Sequence, residues 1–200
     1  MADRTGIFAG DDPFVIARQW LDTARVTEPS DPNAIALASV DAAGLPNVRM
    51  VLLKEVEAAA FVFYTNYNSH KGKEIEANPN AALNFHWTEL ERQIRIEGTV
   101  VKAAEEVSDL YWSKRPRESQ LGAWASAQSQ SITGKEELQK NLDAAKAKFE
   151  GVDVPRPPHW GGFSVKPTRV EFWQGRPSRL HDRFVYSKKG DSWEIGQLSP

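Results

Sequence analysis

Residues 34–66 read AIALASV, DAAG, LPNVRMVLLKEV, EAAA, FVFYTN, and this run decides the fold class. Ala34–Val40 is apolar and strand-like, and Asp41-Ala-Ala-Gly44 has turn chemistry. Val48–Val56 is rich in Val and Leu, and Phe61–Tyr64 is a further short strand. Together they predict an antiparallel meander. Within it, Arg49, Val51 and Leu53 face one side of a strand, and Met50, Leu52 and Lys54 face the other.

Outward from this core, two more strands are predicted at Ala81–Trp87 and Gln93–Val101. The second sets Ile94, Ile96 and Val100 against Arg95, Glu97 and Thr99. Asp12-Pro13 reads as a helix start, followed by Phe14, Ala17, Trp20, Leu21 and Ala24 on one face. The two prolines of Thr27–Pro32 end that helix. Ser69 caps a short helix through Ala77, stopped by Asn78-Pro79. Further helices are predicted at Ser108–Lys114, Leu121–Ala125 and Lys135–Phe149. Pro155–Pro158 is a stiff extended linker, and strands follow at Arg169–Trp173, Arg183–Tyr186 and Trp193–Leu198.

The sum is an α+β chain: a mostly antiparallel small β-barrel with peripheral helices. Residues 1–10 read as a flexible arm and 11–200 as a single domain. Strands do not alternate with long helices, which argues against a doubly wound sheet.

Composition excludes several chemistries. With no cysteine, there is no disulfide, thiolate metal site or cysteine nucleophile. The formal net charge of −2 offers no electrostatic footprint for nucleic acid. The start lacks a basic segment followed by an apolar run, and no apolar stretch approaches the roughly 20 residues that span a bilayer. A cytoplasmic protein with neither nucleic-acid nor membrane partner is expected. His70, His86, His159 and His181 lack metal-ligand spacing, so no metal is expected.

Three clusters pair cations with hydroxyls. Arg49–Lys54 is one, and it also reads as a core strand with charged ends. Tyr64-Thr65…Ser69-His70-Lys71 runs from a strand end into a helix start, where free N–H groups and the helix dipole favour a phosphate. It also reads as a plain capped helix. Tyr111…Arg115…Ser119 offers donors that fit one small phosphate. The segment Trp173…Arg179-Leu180-His181-Asp182-Arg183 adds a histidine between arginines.

RMVLLK (49–54), FVFYTN (61–66), ERQIRIEG (91–98), SKRPRESQLGAWAS (113–126), HWGGF (159–163), EFWQGRPSRLHDR (171–183) and the closing W-x-I-x-x-L-x-P (193–200) occur in this order. As a set they resemble the pyridoxine/pyridoxamine 5′-phosphate oxidase family, from about residue 12 to residue 200. The resemblance implies an FMN-binding split barrel that works as a homodimer, with FMN at the subunit interface. The implied reaction oxidises pyridoxine or pyridoxamine 5′-phosphate to pyridoxal 5′-phosphate. Hydride passes from C4′ to flavin N5, and O2 is reduced to hydrogen peroxide.

The same resemblance implies roles by position. Arg49, Met50, Val51, Leu52, Leu53 and Lys54 line the FMN site, and Tyr64, Thr65, His70 and Lys71 surround its phosphate. Gln93, Gln128, Ser129, Trp173 and Arg183 complete it, some from the partner subunit. Lys54, Tyr111, Arg115 and Ser119 clamp the substrate phosphate. Arg179, Leu180 and His181 hold the pyridine ring, with Arg179 and His181 the catalytic pair. The chain departs from the family at His70, where Arg is usual, and in lacking an Arg-Arg-Glu-Tyr-type lid segment near its start. Two other readings share parts of this pattern: a split-barrel flavin reductase of another substrate, and a non-catalytic pyridoxal phosphate binder.

Overall fold

Asp12 accepts a hydrogen bond from the Phe14 N–H at 2.8 Å and so caps α1 (Pro13–Thr27), with Pro13 in the first turn, where no N–H is needed. The structure, a computed structural model, describes residues 4–200. The predicted apolar face of α1 is buried: Phe14, Ala17, Trp20, Leu21 and Ala24, joined by Ile16. Removing each large apolar side chain from water contributes roughly 1.5–3 kcal/mol.

The meander forms as predicted, with β1 (Ala34–Val40), β2 (Pro46–Val56) and β3 (Phe61–Asn66). At the β1–β2 turn, Asp41 Oδ1 accepts from the N–H groups of Ala43 and Leu45, and Gly44 takes the left-handed conformation, φ +86°, that glycine tolerates. Then come α2 (His70–Ala77), β4 (Asn80–Trp87), β5 (Arg92–Lys102), α3 (Glu105–Ser113), α4 (Arg117–Ala125) and α5 (Lys135–Lys148). The chain finishes with β6 (Trp160–Gln174), β7 (Asp182–Lys189) and β8 (Ser192–Gln197).

All strand pairings are antiparallel, in the order β3-β2-β1-β4-β5-β6-β7-β8. A further β3–β6 pairing closes the first six into a barrel, leaving β7 and β8 as an extension from β6. Closure removes the open edges of those six strands. Inward residues such as Ile35, Leu37, Leu53, Phe63, Ile94 and Ile96 are buried in its core. A second cluster joins Trp112, Leu121, Ala145, Phe149 and Val154 of the helical side to Trp160 of β6. Among the described residues, no helix is long and apolar enough to cross a membrane.

Three expectations change. The strand predicted over 169–173 is only the end of the 15-residue β6. Gly161, Gly162 and Pro167 hide the rest, because they weaken a strand pattern. Their reasons are steric and topological. A Cβ on Gly161 would lie 2.1 Å from the Tyr67 hydroxyl, and Pro167 sits opposite Gly98 at a register shift between β5 and β6. The 155–158 segment is pinned: the indole N–H groups of Trp112 and Trp124 donate to the Val154 and Pro155 carbonyls, each at 2.8 Å. Of the expected arm, residues 1–3 lie outside the described residues. The remainder docks: Gly6–Phe8 form a 3₁₀ turn, Phe8 is buried against Trp20 and Phe184, and the Ile7 carbonyl accepts from the Trp20 indole at 2.8 Å.

Candidate active site

Between Leu53 and Glu55 of β2 the register against β3 slips by one, leaving Lys54 as the extra residue of a β-bulge. Bulges re-aim side chains, and Lys54 lines a cavity of about 430 Å³. Thr65, near the end of β3, and Lys71, in the first turn of α2, line the same cavity. Ser69 caps α2 by accepting from the Gly72 N–H. The Lys71 amine reaches Thr65 Oγ1 at 3.1 Å, Ser69 Oγ at 3.3 Å and Gln128 Oε1 at 3.3 Å. Burial lowers the Lys71 pKa, and the nearby Arg49 charge lowers it further, against a smaller opposing pull from Glu74. A buried amine with only neutral hydrogen-bond partners is costly unless an anion joins it.

The same cavity is lined by Tyr111, Arg115 and Ser119, by Tyr64, and by Met50, Val51 and Leu52 of β2. Lys114 and Pro116, which carry no predicted role, line it too. Its lining therefore holds four cations, Lys54, Lys71, Lys114 and Arg115, and no carboxylate. Among the described residues none of the four forms a salt bridge. Arg115 donates from Nη2 to the Ser119 carbonyl at 3.3 Å, while its buried Nε has no partner. Tyr64 stacks on Tyr111 with ring centroids 3.9 Å apart. Burial, with Glu55 close by, raises the Tyr64 pKa, so the phenol stays protonated.

Arg49 and His70 do not line this cavity. Arg49 donates to the buried Glu74 at 2.7 Å, and also to Ser39 Oγ. Glu74 further accepts from Ser39 at 2.5 Å and Asn47 at 3.1 Å. Burial alone would raise its pKa; these hydrogen bonds and the Arg49 charge outweigh that and hold the carboxyl below its usual range. His70 is exposed, with Nε2 3.2 Å from Glu74 Oε1 and Nδ1 3.4 Å from Asn47 Nδ2. Leu53 is fully buried in the barrel core.

The remaining predicted residues gather elsewhere, on β5, β6 and β7. Gln93 pairs across strands with Trp173, and Trp173 with Arg183. The buried Glu171 holds Arg183. Arg179 and Leu180 are exposed on the β6–β7 connection. There Ser178 (φ 58°) and Arg179 (φ 63°) are consecutive left-handed residues, a conformation that is costly for residues other than glycine and tends to cluster at functional sites. His181 packs on Trp173, centroids 4.6 Å apart, and its Nδ1 accepts from the Arg176 N–H at 3.1 Å. That bond puts the proton of the neutral ring on Nε2. Ser129, beside Gln128, is exposed and also left-handed, φ 69°.

Eleven predicted residues thus meet in one cavity, and a second group meets about β6 and β7; no member of the second group lines the first cavity. A larger groove of about 710 Å³ beside α4 and α5 includes Gln128 but none of Lys54, Lys71 or Arg115. Sequence reasoning missed Glu74, Glu171 and Trp160, which support the site from behind. A glutamate on a short polar helix carries no visible mark of burial, and Glu171, between Val170 and Phe172, occupies the polar alternate of a strand, where exposure is the default expectation.

The sequence model of pyridoxamine 5′-phosphate oxidase matches residues 21–150, and that of the pyridoxine 5′-phosphate oxidase C-terminal dimerisation region matches 160–200. The chain belongs to the pyridoxamine 5′-phosphate oxidase family. Among family members, the pyridoxine/pyridoxamine 5′-phosphate oxidase of Microcystis aeruginosa is 55% identical over 94% of this chain and 89% of its own. That of Cereibacter sphaeroides is 54% identical over 99% and 100%. PhzG from Burkholderia lata, solved in complex with tetrahydrophenazine-1-carboxylic acid, superposes with a TM-score of 0.89 at 30% identity, covering 96% of this chain and 94% of that one. An FMN-binding family relative from Nostoc punctiforme shares the fold, with a TM-score of 0.76 at 15% identity over 98% of this chain and 100% of its own.

Proposed function

We propose that this protein is an FMN-dependent oxidase that converts pyridoxine or pyridoxamine 5′-phosphate to pyridoxal 5′-phosphate, with O2 as acceptor. Residues 11–200 form one split-barrel domain that works in the cytoplasm as a homodimer. One observation carries the reading: a cavity with four unpaired cations and no carboxylate, in a chain whose relatives bear this enzyme's name. Two phosphate esters, one on the cofactor and one on the substrate, fit that charge pattern.

The residues present fit FMN. Lys71, Thr65 and the N-terminus of α2 offer an amine, a hydroxyl and backbone N–H groups to its phosphate. Met50, Val51 and Leu52 supply a wall along β2. When bound, FMN accepts hydride at N5 and hands the electrons to O2.

The chain's own residues orient and polarise. Arg115, Tyr111, Ser119 and Lys54 grip the substrate phosphate, and a fixed grip on a distant group aims the C4′ carbon. His181, held with its proton on Nε2, donates a hydrogen bond to the C4′ oxygen or amine rather than taking a proton there through Nδ1. Arg179, exposed beside it, positions the pyridine ring. Neither residue lines the phosphate cavity, so a second subunit must bring the β6–β7 segment over it. Two features support that arrangement: the match of 160–200 to a dimerisation region, and the row of exposed apolar side chains Val48, Met50 and Leu52 on β2. Gln93, Trp173 and Arg183, with Gln128 and Ser129, then complete the flavin site.

In air, the FMN-loaded protein should form one pyridoxal 5′-phosphate and one hydrogen peroxide per pyridoxine 5′-phosphate consumed. FMN-loaded protein that forms neither product would refute the reading.

A further inference from the structure

An arginine that must receive an anion needs to be held in place without being neutralised. A carboxylate holds it but cancels its charge. An aromatic face attracts the cation through the ring quadrupole and leaves its N–H groups free. Arg115 is held in the second way. Its guanidinium carbon lies 4.7 Å from the Trp160 ring centroid and 5.8 Å from that of Trp112. Its buried Nε has no partner, and among the described residues it forms no salt bridge.

Trp160 is built to be rigid. It is 5% exposed and packs edge-on against Trp112 at 4.9 Å. It pairs with Asn66 where β6 meets β3, and its carbonyl accepts from Arg156 Nη1 at 2.8 Å. It also lies nearly parallel to Tyr64 and Tyr111, 10° from each, with centroids 5.6 and 6.2 Å away. Tyr64 and Tyr111 also face the cavity but stack on each other, centroids 3.9 Å apart, so the group whose placement falls to the indole is Arg115.

We infer that Trp160 is a positioning residue for the substrate phosphate: it sets the guanidinium of Arg115 by a cation–π contact and leaves its charge available to the ester. This rests on the proposed function for the identity of the ester. Its logic is specific to Arg115, so Trp160 should matter only while Arg115 is present.

A double-mutant cycle decides this on the FMN-loaded protein. The probe is 4-deoxypyridoxine 5′-phosphate, which keeps the phosphate and lacks the C4′ oxygen, and its affinity is read by calorimetry. Trp160→Leu should weaken binding by about 2- to 30-fold, the range of a partly to fully desolvated cation–π contact. Trp160→Phe should weaken it less. Neither change should weaken it further in an Arg115→Ala background, and FMN content should hold throughout. Equal losses with and without Arg115 would overturn the inference, because distant or purely structural effects add. So would wild-type affinity in a folded Trp160→Leu. If Trp160→Leu does not fold, Trp160→Phe in both backgrounds makes the same decision. A wild type that binds the probe but does not oxidise pyridoxine 5′-phosphate defeats the proposed function and leaves the cycle to rule on Trp160. A wild type that does not bind the probe overturns the inference itself.

Discussion

Arg183 donates from both Nε and Nη2 to one oxygen of Glu171, at 2.8 and 2.7 Å, while Arg95 and Arg169 reach the other oxygen at 3.3 and 3.2 Å. The carboxylate is buried, so it is the fixed point that orients Arg183 beside Trp173. Removing one member of a buried ion pair typically costs about 3–5 kcal/mol. Three partly exposed arginines can turn to water, which places Glu171→Ala at the lower end, about 3 kcal/mol. Urea unfolding checks that figure. FMN affinity should also fall, by about tenfold for one lost charge-assisted contact. Unchanged FMN affinity would remove Arg183 from the flavin site.

If Lys71 holds the FMN phosphate, cofactor binding depends on pH. Burial, then the Arg49 charge, lowers its pKa, and a phosphate dianion beside it favours the charged form. Binding FMN then takes up a proton. Affinity is greatest where Lys71 is already charged and falls as pH rises through its lowered pKa. From about pH 7, where the phosphate is already dianionic, FMN titrations should weaken toward alkaline pH. Lys71→Arg should move that loss to higher pH, because a guanidinium stays charged. A flat profile in both proteins would place the phosphate elsewhere.

His70 is largely exposed, and its imidazole is engaged with the buried Glu74 and with Asn47. It does not line the cavity that holds Lys71. His70→Ala should change FMN affinity by less than about twofold at pH 7, while Lys71→Ala weakens it by about tenfold or more. Comparable losses in the two variants would put His70 in the phosphate shell.

Val48 is 64% exposed and shares its face of β2 with Met50 and Leu52. If that face meets a second subunit, a charge there is buried on association and opposes it. Wild type should sediment at about twice its 22.4 kDa chain mass, and Val48→Asp should shift it toward monomer with loss of FMN. A wild-type monomer that retains FMN would contradict the two-subunit site.

Much of this architecture was legible residue by residue. The boundaries of β1, the Asp12 and Ser69 caps and the Asp41–Gly44 turn follow from local rules, because each is fixed by side chains a few positions apart. The cavity was only half legible. Hydroxyls and cations near 64–71 and 111–119 stood out as candidate phosphate sites, but nothing local says that the two clusters share one cavity. That follows from the β2 bulge at Lys54, from the packing of α3 against β6, and from the bond of Gln120 on α4 to the Trp112 carbonyl of α3. The supports were not legible at all. Glu74, Glu171 and Trp160 act through partners 25, 12 and 45 positions away (Arg49, Arg183 and Arg115), and such distances leave no periodic trace.

The most direct measurement uses the bound flavin as its own reporter. Protein loaded with FMN is held without oxygen and mixed with pyridoxine 5′-phosphate, with unphosphorylated pyridoxine and with a reduced nicotinamide in separate cuvettes. The phosphate ester should bleach the yellow flavin band rapidly, pyridoxine should do so far more slowly, and readmitted oxygen should restore the colour. A flavin that stays yellow with the ester while the reduced nicotinamide bleaches it would contradict the account and identify a reductase. Yellow flavin in all three cuvettes, with the ester bound, would leave only a binder.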